Sequence, residues 1–412
     1  MQTVLIIDLF GNGHHPRYIR WIIESEACRR AEVIVAGVRE LLEHQELSSI
    51  SGSFQAHEII FTPKQEEALG TFSFPFGLLH RQLAVRDIEL DVFRQISKRV
   101  TVSKVLLPYV DDCLDAIGLL GSPFGQTPWA GITLRPSFHF SRVGVAAPVD
   151  RLSFVWEWLF RRALRQPSLG SLCTIDPTMD EFAGTQFPIG EREKLHFIPD
   201  PAVEHELEPI EVARAALGIP RDARLLLAYG ELSERKGIGL LVECAADPRC
   251  PKNIHILLAG RQSQYSRALL EAGSCACLRE QKRLHVLNGY QSDEGEARIL
   301  AASDCAWVGY TGFYNMSGIM LLAARHGMPC LVSPFGLAGY LAKKYELGMV
   351  INPEDKETVL AALRCLSDNP ARFALAGRRG KSAFQDHTVC RFQEVIDEVL
   401  SADLPTVEGA LG

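Results

Sequence analysis

Gly11, Gly13, His14 and His15 stand together in LIIDLFGNGHHPRYIRWII (5–23), where a buried strand pattern gives way to an amphipathic helix. Glycines at such a turn let the backbone approach a ligand, and the helix N-terminus behind it favours an anion. A third glycine at dinucleotide spacing is missing, which argues against a Rossmann cofactor site. Two imidazoles at the strand-to-helix turn place a side chain toward a ligand cleft; alternatively one of them only caps or packs against the helix. A second strand–loop–helix pattern, LLLAYGELSERKGIGLLVE (225–243), places Gly230 at the strand end and Arg235 and Lys236 just before the next helix. Cations there oppose the helix dipole unless an anion lies between them, so a phosphate would explain the pair. An exposed basic turn paired with Glu231 and Glu234 is the plainer alternative.

Other strand ends add candidates. Gly260 and Arg261 close HILLAGR, and Tyr290 with Gln291 forms a loop before Ser292, an expected helix N-cap. In GFYNMSGIMLLAARHGMPCLVS (312–333), Ser317 and Gly318 open a helix that is apolar on most faces. Its first-turn N–H groups need partners, either a diphosphate or the Ser317 hydroxyl. Asp111 and Asp112 follow the strand KVLLP, and Arg135 and His139 follow WAGITL. A carboxylate or imidazole at either place could orient an acceptor hydroxyl, or simply build a turn. RLSFVWEWLFRRALRQ (151–166) mixes aromatic and arginine residues, either as an interfacial helix making weak peripheral membrane contact or as a buried helix with a basic end.

The elements that must hold these residues alternate throughout. TVLIIDL, EVIVAG, HEIIF, KVLLP, WAGITL and SLCTID read as strands in the first half. RLLLAYG, IHILLAG, LHVLNG, DCAWVGY, PCLVS and GMVIN do so in the second. Helical patterns separate most of them, which predicts two doubly wound, Rossmann-like α/β sheets with ligands at the strand C-terminal ends. The proline-bearing segment HFIPDPAVEHELEP (196–209) reads as a semi-rigid linker between the halves, with a new helix from about Glu211.

Bulk properties narrow the class. A chain of 412 residues suits two domains, and 47% hydrophobic with 23% charged residues is a globular composition. A net charge of −7 leaves no basic excess for a nucleic-acid partner. No apolar run reaches membrane-spanning length, and the first residues read as a strand rather than a signal peptide. Eleven cysteines are scattered through apolar segments, the usage of a reducing compartment, so a cytoplasmic protein is expected. Cys275 and Cys277 lack a second pair at zinc spacing, so no metal site is expected.

GELSERKG, AGR, SDCAWVGY, SGIMLLAARHGMPCLVS and FGLAGYL follow one another in an order that resembles glycosyltransferase family 4, retaining enzymes of GT-B fold. The resemblance covers nearly the whole chain, is strongest over 225–352, and at GHHPRYIRW extends to a subgroup with an N-terminal Gly-His-His loop. It implies residues 1–200 as an acceptor-binding domain and 201–388 as a nucleotide-sugar-binding domain across a central cleft, with 389–412 a C-terminal helix and tail packing back across the linker. It implies a hexosyl transfer with retention, from a nucleotide-diphosphate sugar to a glycan, a lipid-linked or a small-molecule acceptor, with no cofactor. Arg235 and Lys236 match the family's diphosphate contacts, and Ser317 and Gly318 the helix start that faces the phosphates. Gly230, Gly260, Arg261 and Gln291 complete the implied donor side. Gly11, Gly13, His14, His15, Asp111 and His139 are the acceptor-side candidates, with His14, His15, Arg235 and Lys236 expected to serve catalysis. The family commonly carries two glutamates, one touching the donor sugar and one the ribose; here those positions read Tyr314 and Leu322. A sugar-nucleotide-binding protein or pseudoenzyme that lacks turnover is therefore the alternative, and a different GT-B chemistry ranks behind it.

Overall fold

Apolar runs with no polar alternation build both sheets, because helices cover each on its two faces. The computed structural model describes residues 2–11, 13–70 and 76–402. The first sheet holds β1 (Thr3–Asp8), β2 (Glu32–Gly37), β3 (Gln55–Glu58), β4 (Lys104–Leu107), β5 (Trp129–Thr133), β6 (Leu169–Thr174) and β7 (Leu195–Phe197). Its order is β3-β2-β1-β4-β5-β6-β7, all parallel, with Leu5 opposite both Ile34 and Val105. The second holds β8 (Arg224–Tyr229), β9 (Ile254–Gly260), β10 (Leu284–Asn288), β11 (Cys305–Val308), β12 (Cys330–Val332) and β13 (Gly348–Val350), in the order β10-β9-β8-β11-β12-β13. Each sheet reverses direction of growth beside its first strand, at β1/β4 and at β8/β11, which is where doubly wound sheets open a crevice for ligands.

Eight helices frame the candidate residues and the surfaces beside them. They are α1 (His15–Ile23), α2 (Phe76–Ser97), α3 (Leu114–Leu120), α4 (Ser153–Leu164), α5 (Ile238–Ala246), α6 (Asp293–Ala302), α7 (Gly318–Arg325) and α8 (Val389–Ser401). Pro16 sits in the first turn of α1, where its missing N–H costs nothing, and Tyr18, Ile19, Ile22 and Ile23 bury one face. Ser317 caps α7 by accepting from Met320 N, and Ser292 caps α6 by accepting from Gly295 N. Every residue of α7 after Gly318 is buried.

The chain divides into two compact units. One comprises 1–139, 149–199 and 389–412; the other 140–148 and 200–388. In the first, α8 contributes Phe392, whose ring lies 5.3 Å from that of Tyr18, and Asp397, which accepts from Ala27 N at 2.7 Å. Buried Lys104 donates to the carbonyls of Val399, Leu400 and Ala402 at the end of α8, capping it with a cation. In the second, residues 200–209 are tied down side chain by side chain. His387 Nδ1 bonds Asp200 O at 3.0 Å, Glu204 pairs with Arg325 at 3.0 Å, and His205 N donates to His326 Nε2 at 3.0 Å.

Two sequence expectations shift. The third strand runs over Gln55–Glu58 rather than HEIIF, and Ile60 lies outside it, 78% exposed. A seventh strand, β7, takes up His196 and Phe197, the first two residues of the segment read as linker. Among the described residues no helix is long and apolar enough to cross a membrane.

Candidate active site

The loop after β8 carries the basic pair. A short 3-10 turn, Glu234–Lys236, is pinned to the end of β11: Trp307 Nε1 donates to Lys236 O at 2.8 Å and Thr311 N to Arg235 O at 2.8 Å. Lys236 is buried, and its ammonium donates to Tyr229 O at the end of β8 and lies 5.4 Å from the Tyr310 ring centroid. Tyr310 Oη in turn is 3.1 Å from Ser317 Oγ at the start of α7. Residues 236, 310 and 317 are thus brought into one constellation at the C-terminal ends of β8 and β11. Arg235 is exposed and stacks over Phe313 at 5.0 Å, so its charge stays available beside the buried ammonium.

Gly260 packs directly against this loop. Its φ is +124°, and a Cβ would fall 1.9 Å from Gly230 O, so only glycine brings the ends of β8 and β9 this close. Gly230, at φ +98°, has the Lys236 ammonium 3.4 Å from where its own Cβ would be. Arg261 is solvent-facing, 3.7 Å from Glu231, and Gln291 donates to Gly289 O at 3.0 Å. Tyr314 is half-buried and Gly318 exposed. Leu322 is only 8% exposed, so its position on α7 belongs to the packed face of the helix.

The first unit carries its own cluster around α1. His15 Nδ1 bonds both oxygens of Asp8, each at 2.8 Å, while its ring stacks on Tyr109 at 3.6 Å. Among the described residues Nε2 of His15 has no hydrogen-bond partner, and the side chain keeps 13% exposure. Burial pushes the Asp8 carboxyl up from its usual range, and the His15 contact pulls it back. Beside them Asp112 accepts from Arg81 at 2.8 Å and Arg135 at 3.1 Å, with Arg81 over Phe10 at 5.1 Å. His14 is exposed at the turn that leads into α1, and Gly13 there has φ +65°.

Three acceptor-side candidates lie in packed or fully bonded surroundings. His139 is fully buried, with Nε2 at 3.1 Å from Asp176 and 3.0 Å from Thr178 Oγ1; this is a core histidine closed to any ligand. Asp111 spends its carboxylate on Thr133 Oγ1, Leu134 N and Arg135 N, organising the turn after β5. Gly11 is buried because Leu41 N would lie 2.7 Å from a Cβ, so it serves packing rather than ligand approach. Leu322 on the donor side is packed likewise. The residues the sequence did not bring forward are Asp8, Tyr109, Arg81 and Phe313, which lack a motif and are joined only by the topology.

One more cluster lies at the end of β8. Glu296 on α6 is 4% exposed and accepts from Tyr229 Oη at 2.6 Å while pairing with His205 Nε2 at 2.7 Å. His326, stacked on His205, is pushed toward the neutral form by burial, consistent with its Nε2 accepting from His205 N. A cavity of about 420 Å³, lined by Arg224, Asp304, Pro329 and Phe373, lies at the N-terminal ends of the strands, with His326 of this cluster in its wall. Among the described residues no group of three or more His, Cys, Asp or Glu side chains could hold a metal ion.

Residues 223–369 match the family described as "Glycosyl transferases group 1". This span holds the whole β8–β11–α7 constellation. A search of curated proteins finds no sequence relative. Among solved structures, Anabaena Alr3699/HepE in complex with UDP and glucose superposes with a TM-score of 0.65 at 14% identity, covering 97% of this chain and 100% of that one. Sucrose-phosphate synthase from Thermosynechococcus elongatus gives 0.67 at 16% identity, covering 97% of each chain. WaaG, a glycosyltransferase involved in lipopolysaccharide biosynthesis, gives 0.65 at 14% identity, covering 97% of this chain and 100% of that one. At these identities the likeness establishes the fold, which is GT-B.

Proposed function

We propose that the protein is a glycosyltransferase that moves a hexosyl unit from a nucleotide-diphosphate sugar to a hydroxyl acceptor, with retention at the transferred carbon and no cofactor. The observation that carries this reading is the Lys236–Tyr310–Ser317 constellation, in which two segments far apart in sequence converge at the β8/β11 reversal of the sheet. The departing diphosphate would take most of the negative charge that develops. Lys236, Arg235 and the first-turn N–H groups of α7 are oriented beforehand to receive it. Ser317 satisfies only one of those N–H groups, that of Met320, which leaves others for a phosphate oxygen. On the acceptor side, His15 is held by Asp8 through Nδ1, so Nε2 is the atom that would meet the acceptor hydroxyl or the transferring sugar.

Tyr314 and Leu322 favour a second reading, a nucleotide-sugar-binding protein without turnover, because neither can replace a carboxylate on the sugar or ribose. The two separate in one experiment. Calorimetry with a panel of nucleoside diphosphates should find a ligand, and Lys236→Ala should weaken it about tenfold or more, since charge-assisted hydrogen bonds contribute about 1.5–3 kcal/mol each. Diphosphate binding that ignores Lys236 would overturn the site. Binding without transfer to any acceptor, across a library of sugars and lipid-linked glycans, would select the second reading.

A further inference from the structure

The aromatic–arginine stretch at 151–166 takes no part in the site, and the structure shows what it presents. Phe154 and Trp158, one turn apart on α4, are 68% and 47% exposed. Arg151 is exposed in the turn that leads into α4, and Arg162 follows the two rings, with its guanidinium 4.7 Å over the Trp158 ring. The neighbouring α3 is packed hard against α4: a Cβ on Gly118 would fall 2.2 Å from Leu159 O. Its end adds Leu119 and Leu120, 38% and 57% exposed. Four large apolar side chains on an adjacent helix pair are therefore open to solvent.

Charge decides what fits them. Arg161 and Arg165 are turned to Glu191, at 2.7 and 2.6 Å, and Arg161 also lies 3.9 Å from Glu157, so these two cations face two carboxylates. Among the described residues Arg151 and Arg162 have no carboxylate partner. The face is thus two rings with an uncompensated cation at each end. An aromatic ring prefers the level of lipid headgroups, and an arginine beside it reaches the phosphates while its stem lies along apolar surface. The chain as a whole carries −7, so attraction to an anionic surface must come from a local basic patch such as this one.

We propose that the α3–α4 face is an interfacial docking surface for an anionic phospholipid bilayer, inserting Phe154, Trp158 and Leu120 to headgroup depth with Arg151 and Arg162 on the phosphates. This goes beyond the transfer reading and does not depend on it. The full-length protein is sedimented with vesicles of phosphatidylcholine alone and of phosphatidylcholine with phosphatidylglycerol. Retention is expected on the mixed vesicles and should fall with added salt. Phe154→Ser with Trp158→Ser should lower it by at least tenfold, and Arg151→Glu or Arg162→Glu by about fivefold each. Leu375→Ser, exposed in the other unit, should change nothing. Trp158 emission should shift to the blue on binding, a signal that Trp158→Phe removes. No retention on either vesicle, or retention that survives the double substitution, would overturn the proposal. So would a lipid-free dimer that the same substitutions abolish, since the face would then belong to a second copy.

Discussion

Asp8 ends β1 as a buried carboxylate whose two oxygens are both given to one imidazole nitrogen. Such a partner fixes the tautomer and aim of His15 without touching a ligand itself. Asp8→Asn should therefore reduce transfer at least tenfold and leave diphosphate affinity unchanged, because the proposed phosphate contacts, Arg235, Lys236 and Ser317, belong to the other unit. Parallel rate and calorimetric measurements check both halves of that statement. A second carboxyl in this region behaves differently. Burial raises Glu89 on α2 to about 8, near Cys113, Asp112 and Asp8. A carboxyl whose folded pKa exceeds its unfolded one binds a proton more tightly in the native state. Stability is then greatest below pH 4.5 and falls as pH rises toward 8. Glu89→Gln removes that dependence. It should stabilise the protein by roughly 2 kcal/mol or more at pH 8 and little at pH 5, as read from denaturant midpoints at the two values.

Helix α7 shows how far an element can be anticipated from its residues. Its start at Ser317 and its end before Gly327 follow from a capping hydroxyl and a left-handed glycine, both visible in the sequence. Leu322→Glu would place a carboxylate without a partner on the packed face, and should destabilise the fold by several kcal/mol without improving nucleotide affinity. Thermal melting beside calorimetry tests this. The β-strands were legible where branched apolar residues run together. They were not where the chain pairs without them: Gln55–Glu58 is polar, and Leu195–Phe197 is three residues beside prolines. Both lie at sheet edges, where pairing comes from a neighbouring strand rather than from local preference. Site residues divide the same way. Arg235, Lys236 and Ser317 carry local signals of loop and cap. Tyr310 reaches Lys236, and Tyr109 reaches His15, only when distant strand ends meet. The burial of His139 was not legible, because position after a strand does not reveal which way a side chain turns, and here it turns into the core.

At the scale of the whole molecule, the first unit is discontinuous. Phe392, Val395, Ile396, Val399 and Leu400 of α8 are all buried in it, although residues 200–388 intervene. Burying five such side chains contributes on the order of 10 kcal/mol, comparable with the entire net stability of a domain. Deleting 389–412 should unfold the first unit and leave the second protected, which limited proteolysis would show as a resistant fragment near 200–388. Lys104→Met, which removes the cap on α8 but keeps its apolar contacts, should cost less, about 1.5–3 kcal/mol. The same discontinuity sets an order of events during synthesis. The first 199 residues leave the ribosome without the helix that closes their core, and 189 more must be made before Val389 appears. At 5–20 residues per second that is a wait of roughly 10–40 s. Over that interval the strands of the first sheet stand partly uncovered while the second unit completes itself. Chaperone dependence during translation should therefore fall on the half made first, and a rearranged gene that encodes 389–402 ahead of residue 1 should relieve it.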